Sequence, residues 1–267
     1  MNNYKSLISS DGNSSLKINK GELISYIFDD EELIHQKGSP GWENSDIEMF
    51  PVIGPTKVNN YIVDTKEGAC FQDQHGFLRE LKYDLIYQNK NTVTFHKTYT
   101  ANTKIKNSRY PKKSEIKELH WPYSFTFDKT FTLGNEKLKI SFSLTSDKGM
   151  PFMLGYHPAF KLSGDNSEIC LVKDQKISIQ EVIDKGDPSY PFFDLDEISL
   201  IKKNGYSIRI QQEGFQNMML WAAVPNMICI EPITHYPDLE TQNYSEANLR
   251  FSKGKELFSI DINPFKN

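Results

Sequence analysis

A chain of 267 residues with 31 Lys and Arg against 35 Asp and Glu carries a formal net charge of −4, so it lacks the basic excess by which nucleic-acid binders displace counterions. Hydrophobic residues make up 38% and aromatics 12% of the chain, with 17 Phe and 13 Tyr, a composition that excludes a disordered chain and leans toward β structure. No Pro/Gly/Ser-rich linker or internal repeat divides the sequence, and all-β sandwiches often run to roughly 200–250 residues undivided. Residues 1–267 therefore read as one domain.

From the N-terminus, MNNYKSLISSDGNSS offers no basic start followed by an apolar core, so no signal peptide is expected. Alternation of apolar and polar residues, the mark of a half-buried strand, appears at 15–18 between the turn pairs Asp11-Gly12 and Lys20-Gly21. It returns at 92–95, 125–133, 139–145, 177–179, 207–210 and 258–262. Gly134-Asn135 separates two of these runs and predicts a hairpin, while Gly164-Asp165 and Asn204-Gly205 are further turn signals. No long segment keeps a 3.6-residue apolar period, so helices should be few and short. The expectation is a large antiparallel β-sandwich.

Two stretches bear on partners and compartment. The most apolar one, 218–230, is broken by Pro225 and Asn226 and is shorter than the ~20 apolar residues of a membrane span, so no membrane partner is expected. The cysteines, Cys70, Cys170 and Cys229, are odd in number, widely spaced and outside any CxxC pair. That pattern argues against a disulfide framework and against a cysteine-based zinc site, and it fits a reducing, cytoplasmic setting. Residues 104–117 gather Lys104, Lys106, Arg109, Lys112, Lys113 and Lys117 against the single acid Glu115, which reads as a solvated loop or, alternatively, as a phosphate-seeking one.

Four stretches break the strand rhythm and collect residues that loops use for chemistry: GWENSDIEMFPVIGP (41–55), FQDQHGFLRE (71–80), MLGYHPAF (153–160) and LWAAVPNMICIEPITHYPD (220–238). In the second, His75 precedes Gly76, whose missing side chain permits close backbone approach to a ligand, and Arg79 can offer a planar fork of donors. In the third, Pro158 restricts His157 to an extended backbone. In the fourth, Glu231 ends an apolar run, where a carboxylate must be paired, hydrogen-bonded or functional. Taken singly, each of these residues is more often structural than catalytic.

Taken in order, WENSDIEMFPVIGP, DQHGFLR, GYHPAF and ICIEP, followed by NLRFSKGKELFSIDI, closely resemble the aldose 1-epimerase (galactose mutarotase-like) family, and most of all its LacX-type branch. The resemblance implies a mutarotase-type β-supersandwich with a sugar in an open cleft. It also implies His157 as the acid that protonates the ring oxygen, Glu231 as the base at the anomeric hydroxyl, and His75 and Arg79 as sugar ligands supporting them. Trp42, Tyr156 and Trp221, and less so Phe77 and Phe160, could present faces to a pyranose. The family's aspartate between the second histidine and the glutamate has only Asp194 and Asp196 as candidates, neither in a clear motif, and His235 departs from the family pattern.

The implied reaction suits these residue types. Ring opening removes the anomeric hydroxyl proton while protonating the ring oxygen on the same carbon, so a base and an acid must converge on one end of the sugar, each about 2.6–3.2 Å from its oxygen. Carboxylate and imidazole, with ordinary pKa values of about 4.3 and 6.5, can share that work without a metal or organic cofactor. The readings left open are a mutarotase for a free aldose, one for hexose 6-phosphates, and a non-catalytic carbohydrate-binding protein. A glycosidase fits less well, because it needs two carboxylates and one stands out.

Overall fold

The computed structural model describes residues 4–245 and 248–266. Two antiparallel sheets dominate it. The larger has nine strands in the spatial order Gln175–Ser178, Ile169–Val172, Glu197–Ile201, Ser207–Glu213, Lys255–Phe265, Leu138–Ser146, Phe125–Leu133, Thr92–Tyr99 and Asp84–Gln88. The smaller has five, in the order Tyr190–Phe192, Asn217–Trp221, Met227–Ile233, Gly155–Lys161 and Asp46–Met49. A four-stranded antiparallel sheet, Tyr4–Ile8 to Glu31–Glu32, precedes them.

The expected hairpin forms at Gly134, with Leu133 paired to Leu138 and Phe125 to Ser146. Phe125–Leu133 alternates strictly between buried and half-buried positions, which is what places Phe125, Phe127, Phe131 and Leu133 against the second sheet. Phe142 meets Tyr156 across the sandwich with ring centroids 5.1 Å apart, and Phe50 meets Phe127 at 6.2 Å. The single α-helix among the described residues, Ile179–Lys185, is held by a capping box: Ser178 Oγ accepts from the Glu181 amide at 3.2 Å while the Glu181 carboxylate accepts from the Ser178 amide at 2.7 Å. That cap ends the strand at Ser178, so the strand expected at 177–179 stops one residue short. The apolar run 218–230 becomes two strands, Asn217–Trp221 and Met227–Ile233. No helix among the described residues is long and apolar enough to cross a membrane.

Two strands of the smaller sheet depart from alternation. Met227–Ile233 is buried at every position, and Gly155–Lys161 at every position but its last. One face of each packs into the sandwich; the other forms the floor of a cleft that loops wall in.

Candidate active site

Antiparallel register sets the cleft floor. Gly155 pairs with Ile233 and Ala159 with Cys229, so His157 lies across from Glu231, and both side chains leave the sheet on the face away from the core. His157 Nε2 stands 3.5 Å from Glu231 Oε1. Glu231 is 1% exposed and His157 5%. Neither Glu231 oxygen, nor His157 Nδ1, has a hydrogen-bond partner among the described residues. Buried polar atoms left without any partner cost about 1–3 kcal/mol each, so groups of this kind beside an open cleft are satisfied by water or by a ligand.

Burial governs the charge state of this pair. It raises the Glu231 carboxyl well above its ordinary value and lowers His157 to about 3, with Arg79 adding a smaller push in the same direction on the histidine. Burial thus disfavours charge on both groups and favours a proton on the carboxyl over one on the imidazole.

Aromatic groups fix the imidazole in place. Trp42 stacks on His157 with centroids 4.3 Å apart and planes 20° from parallel, while His75 and Trp221 approach edge-on at 5.5 and 5.9 Å. Trp42 is anchored in turn, because His35 Nε2 meets its carbonyl at 3.0 Å.

His75 occupies a left-handed backbone position, φ +69°, rare outside glycine. Its Nδ1 lies 3.0 Å from the Ile53 carbonyl, which can only accept. Burial, reinforced by His157 and Arg79, holds its pKa well below 6.5, so the ring is neutral, donates through Nδ1 and leaves Nε2 as an acceptor. The next residue corrects the sequence reading. Gly76 is not open to a ligand: a Cβ there would lie 2.1 Å from the Phe50 carbonyl oxygen. The glycine lets the 73–80 segment close on residue 50, whose carbonyl accepts from the Phe77 and Leu78 amides at 3.0 and 3.1 Å. Arg79, in the short 3-10 turn Leu78–Glu80, donates to the Gln74 carbonyl at 2.8 Å and lines the cleft.

Behind this wall lies a buried ionic network. Lys129 Nζ, fully buried, bonds Asp46 Oδ2 at 2.7 Å and Glu48 Oε1 at 2.6 Å. The Tyr156 hydroxyl donates to the same Asp46 oxygen at 2.5 Å. Lys97 Nζ donates to the Leu78 carbonyl at 2.6 Å and stands 3.9 Å from Glu48. The network ties the edge strand Asp46–Met49, which is paired with His157's strand, to the turn that carries Arg79.

The cleft above is open, with a volume of about 1550 Å³, larger than the ~300–1,000 Å³ of a typical small-molecule pocket. The aldose 1-epimerase family model matches residues 59–231. This chain belongs to the aldose 1-epimerase family.

Relatives agree at lower resemblance. Protein LacX of Lactococcus lactis subsp. lactis, in its plasmid form, is 23% identical over 249 residues, spanning 75% of this chain and 77% of that protein. Among solved structures, a galactose mutarotase related enzyme from Lactobacillus acidophilus superposes with a TM-score of 0.78 at 18% identity, covering 98% of this epimerase-family chain and 97% of that one. A galactose mutarotase-like protein from Lactobacillus casei ATCC 334 gives the same TM-score and identity, covering 98% and 100%. These structures share the β-sandwich fold.

The fold gathers His157, Glu231, His75, Arg79, Trp42 and Trp221 around one cleft. Tyr156 is not among them. Its neighbour His157 faces the cleft, so strand alternation turns Tyr156 inward, where it is fully buried against Asp46. Phe77 and Phe160 are likewise core residues. Asp194 and Asp196 are exposed and, like His235, lie outside the cleft.

Sequence reasoning gave no site role to Asp187 or Cys229, and it left the basic stretch open between a solvated loop and a phosphate-seeking one. Asp187 lines the cleft just after Gly186 ends the helix, and the only hint was the turn string KGDPS. Arg109, Lys112 and Lys113, part of the basic stretch, also line it. Arg109 sits 3.2 Å from Asp73 and donates to Gln74 Oε1 at 3.2 Å. Cys229 was set aside for lack of a CxxC neighbour, yet the fold puts its thiol near His157 and Glu231, with donor atoms of all three within 4.8 Å of one another.

Proposed function

We propose that this chain is an aldose 1-epimerase of the LacX-type branch that interconverts the α and β anomers of a free aldose. The observation that carries the reading is the His157–Glu231 pair, 3.5 Å apart and otherwise unpartnered on the floor of an open cleft. A sugar whose C1 end enters there brings two oxygens to two groups that together hold one proton.

Ring opening then takes the anomeric proton onto Glu231 while His157 gives one to the ring oxygen. The step leaves Glu231 protonated and His157 neutral, which is the distribution that burial favours. The resting site thus has the protonation that complements the open-chain aldehyde, and a cyclic sugar enters as the proton shifts from carboxyl to imidazole. Rotation about the bond to the aldehyde carbon, followed by the reverse transfers, gives the other anomer. His75 Nε2 accepts from a sugar hydroxyl, Arg79 donates to another, Asp187 is the candidate for the family's aspartate, and Trp42 and Trp221 border the pyranose. The free thiols Cys70, Cys170 and Cys229 suit a reducing, cytoplasmic setting for this activity.

One observation favours a second substrate, a hexose 6-phosphate: Arg109, Lys112 and Lys113 border the same cleft as Arg79, and guanidinium groups bind phosphate bidentately. Polarimetry of freshly dissolved α-glucose, α-galactose and their 6-phosphates tests both readings. Acceleration of one class selects it. No acceleration of any, with sugar binding retained, leaves a carbohydrate-binding protein.

A further inference from the structure

His157, Cys229 and Glu231 come from two adjacent strands. Cys229 and Glu231 are two apart on Met227–Ile233 and so share its outer face, and Ala159, two beyond His157, pairs directly with Cys229. All three side chains are buried, and their donor atoms, one thiol sulfur, one ring nitrogen and one carboxylate oxygen, lie within 4.8 Å of one another. His157 Nε2 and Glu231 Oε1 are 3.5 Å apart. Zinc–ligand lengths of about 2.0–2.3 Å at tetrahedral angles require ligand separations of roughly 3.3–3.6 Å, so one pair already meets the requirement and the thiol needs only a small side-chain movement.

Polar satisfaction points the same way. Both Glu231 oxygens and His157 Nδ1 are buried without protein partners, so no existing hydrogen bond to the carboxylate must break for a cation to bind there. Cys229 lies one step behind the pair, in a small cluster with Ala159 and Met227 roofed by Trp42, Trp221 and Val224. His157 and Glu231 line the cleft itself, leaving its open side for a fourth, water ligand.

We propose that His157, Cys229 and Glu231 form a capture site for a single thiophilic divalent cation of the zinc type, which occupies the place of the sugar's anomeric end. Nitrogen, sulfur and oxygen donors together suit zinc or cadmium and disfavour magnesium, which takes an oxygen octahedron. On binding, a metal–sulfur bond forms, the thiol proton and the carboxyl proton pass to solvent, and nothing is oxidised or reduced. Metal and sugar then exclude one another, so the ion acts as a competitive brake. The binding claim stands by itself; the braking claim rests on the epimerase reading above.

The test uses the full, reduced, metal-free chain. Cadmium is titrated while thiolate-to-cadmium charge-transfer absorption is recorded, and zinc and magnesium are titrated by calorimetry. The expected result is a band that saturates at one cadmium per chain and disappears in Cys229→Ser, zinc affinity at least tenfold weaker in Cys229→Ser and His157→Asn, and no magnesium binding. If Cys229→Ser melts far below wild type, Cys229→Ala carries the same comparison. A band that survives in the cysteine variant, or the absence of saturation at one equivalent in the wild type, overturns the site. Failure of the epimerase reading shows separately, as a metal-free chain that leaves polarimetric relaxation unchanged. In an active chain zinc should raise the apparent KM with kcat unchanged, and a fall in kcat alone would refute the competitive brake.

Discussion

Glu231 and His157 face each other across adjacent strands at 3.5 Å, and burial moves their affinities for a proton in opposite directions. Those directions favour a proton on the carboxyl over one on the imidazole, and the exchange proposed above uses a single proton shared by the pair. Glu231→Gln and His157→Asn each break the exchange. Either substitution should lower the rate of anomer interconversion by about 10²–10⁴-fold, read by polarimetry or by proton NMR of the anomeric signals.

The rate against pH should be bell-shaped, with limbs assigned by the directions above. The acid limb marks a second proton arriving on His157, near 3, and the alkaline limb marks loss of the last proton from Glu231, well above 4.5. Sequence alone suggests the opposite assignment, a glutamate limb on the acid side and a histidine limb on the alkaline side; burial reverses it. A kcat/KM profile of the free enzyme that falls as pH drops below about 6 would contradict the reversed order.

Lys129 neutralises two carboxylates with no access to water. Lys129→Met leaves Asp46 with the Tyr156 hydroxyl and Glu48 with the distant Lys97 ammonium in place of a close cation, and urea unfolding should show a loss of about 3–5 kcal/mol. Adding Asp46→Asn and Glu48→Gln to the same variant should recover part of it, since the uncompensated charges are then gone.

Gly76 combines φ +60° with a Cβ position 2.1 Å from the Phe50 carbonyl oxygen. Gly76→Ala forces the 73–80 segment away from residue 50 and should cost about 1–3 kcal/mol in urea unfolding. His75 and Arg79 move with it, so activity measured well below the melting temperature should fall too.

Arg109 separates the two substrate readings. If the substrate bears a phosphate gripped by this side chain, Arg109→Gln should raise KM for the 6-phosphate about 10–100-fold, the equivalent of one charged hydrogen bond, and leave the free sugar nearly unaffected. Equal changes for both substrates would remove the phosphate role.

Much of this architecture is readable in the sequence where one face of a strand meets solvent. The run 125–133 alternates because its outer face is half exposed, and it folds over the length its pattern gives. Gly155–Lys161 and Met227–Ile233 hide their geometry, since a floor covered on both faces reads as an unbroken apolar run. Resemblance, rather than periodicity, pointed to His157 and Glu231 there. Tyr156 was misplaced because a motif names neighbours without saying which way each points. The ionic network did leave a trace: Lys129 falls in phase with Phe125, Phe127 and Phe131, and Lys97 in phase with Val93, Phe95 and Tyr99, each a cation at a position reserved for core. Asp187 left almost none, because its place depends on where a short helix stops.

Lys97 has a consequence for altering what the cleft accepts. Its ammonium reaches the Leu78 carbonyl on one wall and Glu48 on the strand beside His157 on the other. The two walls are therefore one mechanical unit. A substitution that widens the Arg79 side for a bulkier sugar also shifts the strand that sets the imidazole, so changes in specificity and in turnover will travel together unless both ends of that lysine are redesigned at once.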